Sequence, residues 1–156
     1  MCAAFSQKKQ PPIILFIAVD DLRAEAISPE KSTIQIPNIR KLAKESVLFT
    51  NHFVQVPTCG ASRYSMLTGM LPKQKKHLKN YIIEKDIADR NEKGENPETF
   101  IEHLKRNNYY TVGIGKISHS ADGFVYGYED EVTDKRELPY SWDEVLFDSG
   151  KWETGG

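Results

Sequence analysis

The stretch Ile13-Ile-Leu-Phe-Ile-Ala-Val-Asp-Asp21 is the main basis of the predicted fold. It follows two prolines, and its apolar residues run on without the alternation of a half-exposed strand. A continuous run of this length, rich in β-branched residues, is typical of a parallel strand that is covered on both faces, as in α/β proteins. Ligands gather at the carboxyl ends of such strands, so Asp20 and Asp21 stand where a functional site is expected.

Helix signals follow this stretch. A helix is predicted to begin at Pro37 and to pack through Ile39 and Leu42, which recur at helical spacing. Residues 47–54 are predicted to form a second short strand. Residues 62–67 suit another helix, for which the following glycine and proline are stop signals.

The second half of the sequence is less regular. Its charge predicts that residues 73–95 form a surface loop. Residues 96–106 favour an amphipathic helix with Asn96 as its N-cap and Pro97 in the first turn, ended by an asparagine pair. Residues 109–115 are predicted as a strand, after which no periodic segment closes the chain. The order of elements predicts an α/β protein with a mostly parallel sheet flanked by helices.

The composition is that of an ordinary globular protein. The 156 residues are 39% hydrophobic, and 21 Lys and Arg against 22 Asp and Glu give a net charge of −1. A balance this close to zero gives no reason to expect nucleic acid as a partner. No apolar run reaches the ~20 residues that a membrane-spanning helix needs. Two cysteines are too few for a disulfide framework and leave the redox compartment open.

The proline pair divides the chain. Residues 1–11 are expected to be a flexible start or the end of an export signal, because Ala4 and Ser6 suit a cleavage site but no apolar region precedes them. Residues 12–156 have the length of one domain or of part of one.

The acidic pair and one cysteine are the first candidates for chemistry. Asp20 and Asp21 offer hard oxygen ligands suited to Ca²⁺ or Mg²⁺, although paired acids also serve as helix caps or solvated turns. Cys59 is expected at a helix start, where the helix dipole and Arg63, one turn later, favour an anion. A small cysteine buried in the core is the alternative interpretation of Cys59.

Lys116 and His119 add a cation and a titratable imidazole directly after the strand predicted at 109–115. Either residue alone is equally well an ordinary surface residue. Because the carboxyl ends of parallel strands share one edge of a sheet, these side chains would converge with Cys59 and the acidic pair.

Five motifs resemble the start of the sulfatase family in order and spacing: VDDLR, PNIRKLA, FTNHF, CGASRYSMLTGMLP and GKISH. The resemblance covers roughly residues 12–120 and implies the alkaline-phosphatase-like α/β fold. The Lys-x-x-His spacing of GKISH and the later LPYSW resemble the iduronate-2-sulfatase-like branch. The family's remaining metal ligands and catalytic groups come from segments well beyond GKISH, so the resemblance implies that residues 12–156 are the N-terminal part of a sulfatase catalytic domain.

The resemblance also implies a chemistry for the cysteine motif. The family signature is Cys-x-Pro-Ser-Arg, whose cysteine is oxidised after translation to formylglycine, an aldehyde whose hydrate is the nucleophile. Cys59 takes this position, and Ala61 stands where proline is usual. By the same resemblance, Arg63 would hold the hydrate.

Further roles follow from the matching motif positions. Asp20 and Asp21, together with the modified Cys59, would bind Ca²⁺, or Mg²⁺ in its place. Lys116 would bind sulfate, and His119 would orient the hydrate hydroxyl or the sulfate.

The function implied by the resemblance is a sulfuric ester hydrolase acting on a sulfated saccharide. It implies a formylglycine-generating enzyme as a partner and a periplasmic, extracellular or lysosome-like compartment. Two alternatives stay open: a non-catalytic remnant that binds sulfate or metal, and a related phosphoester or phosphonate hydrolase.

Overall fold

The computed structural model describes residues 11–27, 33–89, 97–120, 123–125 and 133–147. The chain divides into two compact units, Met1–Leu48 and Phe49–Gly156. The start predicted at residues 1–11 lies almost wholly outside the described residues. No helix in the described ranges is both long and apolar enough to cross a membrane.

The first unit contains two short helices, α1 (Ala24–Ile27) and α2 (Pro37–Lys44). Helix α2 begins at Pro37 as predicted, because the fixed φ of proline suits the first helical turn. The prediction that α2 packs through its apolar face is wrong, since the helix has no buried residue and Leu42 is 60% exposed.

The strand predicted at 13–21 is also wrong. These residues form no strand, and Ile13 is 99% and Leu15 82% exposed. A strand covered on both faces needs neighbouring strands and covering elements, and the described residues of the first unit contain no strand to pair with it. The strand predicted at 47–54 is not observed either, and the side chains of Phe49 and Phe53 are largely exposed.

The second unit contains two further α-helices and two short helical turns: α3 (Cys59–Thr68), a 3-10 turn (Lys75–Leu78), a π-helical turn (Glu84–Ala88) and α4 (Phe100–Arg106). Helix α3 ends at Gly69, as predicted, where φ is 68° and only glycine is free of strain.

Helix α4 begins later than its predicted start at residue 96. The Oγ1 atom of Thr99 accepts a hydrogen bond from the Glu102 backbone N–H at 3.1 Å, so Thr99 is the N-cap. A threonine followed three residues later by glutamate is a favourable helix start, and the predicted cap Asn96 lies outside the described residues. The helix ends at Asn107, as predicted.

A two-stranded parallel sheet joins β1 (Val112–Ile114) and β2 (Glu144–Phe147), with Val112 opposite Glu144. Strand β1 confirms the strand predicted at 109–115. Strand β2 lies in the region after residue 115, where no periodic segment was predicted. The parallel pairing agrees with the α/β prediction, on a smaller scale than predicted.

The core of the second unit corrects the interpretation of residues 73–95 as a surface loop for residues 73–89, and residues 90–95 lie outside the described residues. Ile82, Ile83 and Ile87 from this segment are almost completely buried. They cluster with side chains from α3, α4 and the segment before β2: Tyr64, Leu67, Ile101 and Leu138. Charged residues between the isoleucines make the average polarity of the segment high. For this reason the sequence predicted a surface loop and not a contribution to the core.

Candidate functional site

Cys59 is the first residue of α3 and carries a free, half-buried thiol. Thr58 precedes it with an extended backbone, φ −141° and ψ 131°, which is the usual geometry of an N-cap. The prediction that Cys59 lies at a helix start is confirmed. The first backbone N–H groups of a helix lack acceptors within it, so this end of α3 favours negative charge.

Arg63 lies one turn along α3 and connects two of the predicted motifs. Its Nε atom is 3.3 Å from Cys59 Sγ, and its Nη1 atom donates to the carbonyl oxygens of Lys116 and Ile117 at 3.1 and 3.0 Å. The side chain is almost completely buried. The structure therefore brings Cys59 and the GKISH segment together through a single guanidinium group.

Lys116 and His119 lie in a loop that directly follows β1. Both side chains are half-buried. The loop begins after Gly115, whose φ of 69° is a conformation that side chains disfavour. Its far end is fixed by the buried Glu137, whose Oε2 atom accepts from the backbone N–H and the hydroxyl of Ser120 at 2.9 and 2.7 Å.

Asn80 supports the start of α3 from the other side. Its Oδ1 atom accepts a hydrogen bond from the Gly60 backbone N–H at 2.9 Å. A Cβ atom added to Gly60 would lie 2.2 Å from the Asn80 carbonyl oxygen. The residue after Cys59 must therefore be glycine, because no side chain fits between α3 and Asn80.

Asn80 and Glu137 were not found by the sequence analysis. Both act through hydrogen bonds to backbone groups that are distant in sequence, 20 positions away for Asn80 and 17 for Glu137. Neither belongs to a periodic pattern. A signal that could have found Asn80 is the glycine beside Cys59, because glycine allows another backbone to approach closely.

A buried polar network lies beneath α3. The Tyr64 hydroxyl donates to Asp86 Oδ2 at 2.9 Å, and Lys76 Nζ is 2.8 Å from Asp86 Oδ1. His77 accepts from the Lys73 backbone N–H through Nδ1 and has its Nε2 atom 3.7 Å from the same carboxylate. Burial, together with the hydrogen bond to Asp86, raises the pKa of Tyr64, which stays protonated. This network ties α3 to residues 76–86.

Asp20 and Asp21 lie in the first unit, in a turn where both residues are exposed. Asp21 has a φ of 53°, in the left-handed region that aspartate tolerates better than most residues. Within the described ranges, no group of three or more His, Cys, Asp or Glu side chains is placed to hold a metal ion. The carboxylates suit Ca²⁺ chemically, but these residues supply only part of the ligands that it takes.

Comparison with known proteins agrees with the motifs. The family model described as "Sulfatase" matches residues 12–151. The chain is 39% identical over 111 residues to a sulfatase of Formosa agariphila, which covers 70% of this chain and 22% of that protein. It is 35% identical over 129 residues to iduronate 2-sulfatase of Mus musculus, covering 83% of this chain and 21% of that protein.

A choline-sulfatase of Rhizobium meliloti is 29% identical over 123 residues, covering 78% of this chain and 22% of that protein. The chain thus spans about a fifth of the length of these curated relatives. No solved structure is significantly similar to it.

Proposed function

Since the chain belongs to the sulfatase family, as its motifs predicted, we propose that residues 12–156 are the N-terminal part of the catalytic domain of a sulfuric ester hydrolase. Its nucleophile would derive from Cys59 by conversion to formylglycine. The observation that carries the proposal is the position of Arg63, which contacts Cys59 Sγ and the Lys116 and Ile117 carbonyl oxygens at once.

The charges at this position suit a sulfate ester. Such a substrate is an anion, and negative charge grows on the departing oxygen, so fixed cationic donors stabilise the transition state. In the proposed site Lys116 binds the sulfate, and His119 orients the sulfate or the hydrate hydroxyl. Arg63 donates to backbone carbonyls as well as to Cys59, so it holds the nucleophile against the loop that carries the other two.

Ala61, which replaces the usual proline of the signature, fits the first turn of α3. It is the third residue of α3 and has no exposed surface. Its backbone N–H belongs to the first turn, where no acceptor within the helix is available, so alanine and the usual proline both fit. Alanine in place of proline at position 61 therefore leaves the start of α3 unchanged.

Asp20 and Asp21 would contribute two carboxylate ligands, together with the modified Cys59, to a site for Ca²⁺, or Mg²⁺ in its place. Calcium takes about six to eight oxygen ligands, and the described residues hold no cluster that completes such a set. The family resemblance implies that further ligands come from segments well beyond GKISH. When bound, the ion would offset the charge of the sulfate group.

The proposed substrate is a sulfated saccharide. The relative named iduronate 2-sulfatase supports this class, since its name refers to a sulfated sugar acid. The proposal includes a formylglycine-generating enzyme as a partner and an exported compartment as the location.

Mass spectrometry of the Cys59 peptide tests the modification. After co-production with a formylglycine-generating enzyme, conversion lowers the mass of this peptide by about 18 Da, whereas a Cys59→Ala variant shows no such shift. Hydrolysis of 4-nitrophenyl sulfate by the whole catalytic domain tests the activity. Arg63→Ala and Lys116→Ala should each lower its rate by at least ~10²-fold, and Arg106→Ala, at an exposed arginine paired with Glu98, should not.

Two outcomes would contradict the proposal in different ways. An unshifted Cys59 peptide together with no sulfate hydrolysis would favour the non-catalytic alternative. Faster hydrolysis of 4-nitrophenyl phosphate than of the sulfate would favour the phosphoester hydrolase.

A further inference from the structure

Residues 73–79, Lys-Gln-Lys-Lys-His-Leu-Lys, concentrate positive charge next to the candidate site. This lysine segment holds four lysines and no acidic residue, in a chain whose net charge is −1. All four lysines are exposed. The net charge of the chain is close to zero, but the lysine segment is a strongly basic part of its surface.

Most of this charge has no carboxylate partner among the described residues. Lys76 forms an ion pair with the buried Asp86 at 2.8 Å. Within the described ranges, Lys73, Lys75 and Lys79 form no ion pair with a carboxylate. In the part of the chain that the structure describes, three exposed ammonium groups therefore lie beyond ion-pair distance of any carboxylate.

The lysine segment is fixed close to Cys59. Lys79 precedes Asn80, which accepts a hydrogen bond from the backbone of Gly60, the residue after Cys59. The Asn80 Cα atom is 2.6 Å from the position that a Cβ on Gly60 would occupy. Adding the Cα spacings along the chain places the Cα atoms of Lys79 and Cys59 within about 12 Å of each other. The lysine segment is therefore close enough to Cys59 for one extended ligand to reach both.

An exposed aromatic residue follows the lysine segment closely in sequence. Tyr81 follows Asn80 in sequence, and half of its surface is exposed. An exposed tyrosine ring offers an apolar face and a polar tip, which suits the mixed surface of a sugar ring better than a small inorganic anion. Charge and ring together indicate a ligand that is both anionic and larger than one sulfate group.

We propose that the lysine segment binds sulfate groups of a polysulfated saccharide other than the sulfate that is cleaved at Cys59. This inference deepens the proposed function and rests on it for the identity of the cleaved group. The enzyme would then act on a chain carrying several sulfates, and a monosulfated substrate would gain nothing from this surface. Because the ammonium groups are exposed, the contribution should weaken as salt shortens the screening length, which is about 10 Å at 0.1 M.

Binding of dextran sulfate to the purified chain tests the proposal without requiring turnover. We expect Lys75→Gln/Lys79→Gln to weaken binding by roughly fivefold for each lysine removed, and to reduce the dependence of affinity on salt. The matched control is Lys41→Gln/Lys44→Gln, which removes the same charge from two exposed lysines of α2. Circular dichroism of both variants verifies that the fold is retained.

A second measurement locates the contact directly. Acetylation of lysines in the presence of dextran sulfate, followed by mass spectrometry, should show protection of Lys75 and Lys79 and not of Lys41 and Lys44. Equal losses of affinity in the two double variants, or no protection of the lysine segment, would overturn the proposal.

Two further ligands define its specificity. Neutral dextran should not bind, and single-stranded DNA of matched charge should bind more weakly than dextran sulfate. Tighter binding of the DNA than of dextran sulfate would overturn the proposal and indicate a nucleic acid as the ligand of the lysine segment. Since none of these measurements depends on conversion of Cys59, failure here is distinct from failure of the sulfatase activity.

Discussion

Residues 13–19 are all apolar and are mostly exposed, whereas residues 73–89 are rich in charge and contribute three isoleucines to the core. The difference lies in what surrounds each segment. Ile82, Ile83 and Ile87 meet apolar side chains from α3 and α4. The described residues of the first unit offer no strand beside residues 13–19.

An apolar segment is therefore buried only where neighbouring elements supply apolar side chains to cover it. Hydropathy alone does not predict its burial. Apolar surface contributes to stability only in proportion to the area removed from water. The apolar stretch therefore contributes little in this structure. The charged segment contributes more, because its few isoleucines are covered completely.

The largest expected effect tests this contrast directly. Ile83→Ala removes a completely buried side chain and should lower the free energy of unfolding by about 3 kcal/mol, through lost burial and the resulting cavity. Urea unfolding of the whole chain measures the change. Ile13→Ala makes the same chemical change at a side chain that is 99% exposed, and it should stay within about 0.5 kcal/mol of the unchanged chain. Equal losses of unfolding free energy in the two variants would contradict the difference in burial between residues 13–19 and residues 73–89.

A somewhat smaller effect is expected at the contact between α3 and residues 73–89. Gly60→Ala places a Cβ atom 2.2 Å from the Asn80 carbonyl oxygen, so the backbone must shift, at a cost of about 2 kcal/mol. Ser62→Ala, in the same turn of α3 at a half-buried position, is the control and should cost less. Urea unfolding compares the two, and an unchanged stability of Gly60→Ala would show that Asn80 does not pack closely on α3.

The polar part of residues 73–89 gives the third prediction. Tyr64→Phe removes the donor to the buried Asp86 and should cost about 1.5 kcal/mol, since the hydrogen bond is to a charged group. Tyr110→Phe removes a comparable hydrogen bond, from the Tyr110 hydroxyl to Glu144, at an exposed position. Thermal unfolding should show a clearly smaller loss for Tyr110→Phe. A reversed order would mean that the buried network does not stabilise α3.

The smallest effect concerns the junction of β1 and β2. The Thr111 backbone N–H donates to Asp143 at 2.8 Å and, with the Thr111 hydroxyl and Lys105, lowers the pKa of Asp143. The folded state thus binds fewer protons than the unfolded state. The stabilisation is present above the ordinary pKa of aspartate, about 3.9, and is lost as the pH falls through the lower folded pKa.

Asp143→Asn should therefore destabilise the chain at neutral pH and reduce its loss of stability on acidification. Unfolding at a series of pH values from neutral to about pH 3 measures both changes. Asp134→Asn, at an exposed aspartate, serves as the matched control. An acid profile for Asp143→Asn that matches the unchanged chain would rule out this carboxylate as a contributor.

Local signals predicted some of the structure correctly. The glycine at 69 ends α3, Pro37 begins α2, and residues 112–114 form a strand. Each of these features depends on backbone preferences within a few residues. The pairing of Cys59 with Arg63 is of the same kind, because side chains four residues apart meet on a helix.

Features that depend on distant partners were not predicted. Strand β2 is defined by its pairing with β1, and the hydrogen bonds of Asn80 and Glu137 reach backbone groups that no sequence spacing identifies. Burial of Ile82 and Ile83 depends on α3 and α4 in the same way. Conversion of Cys59 and the calcium ligands remain predictions.

The contact of Arg63 with Lys116 also has a consequence for the order of folding. The two residues are separated by 53 positions, so the hydrogen bond forms only after a long loop has closed, and closure is opposed by chain entropy. Helix α3 is local and can form early, whereas the connection to the GKISH segment depends on the core between them. We therefore expect the connection between Arg63 and the GKISH segment to form after α3 itself.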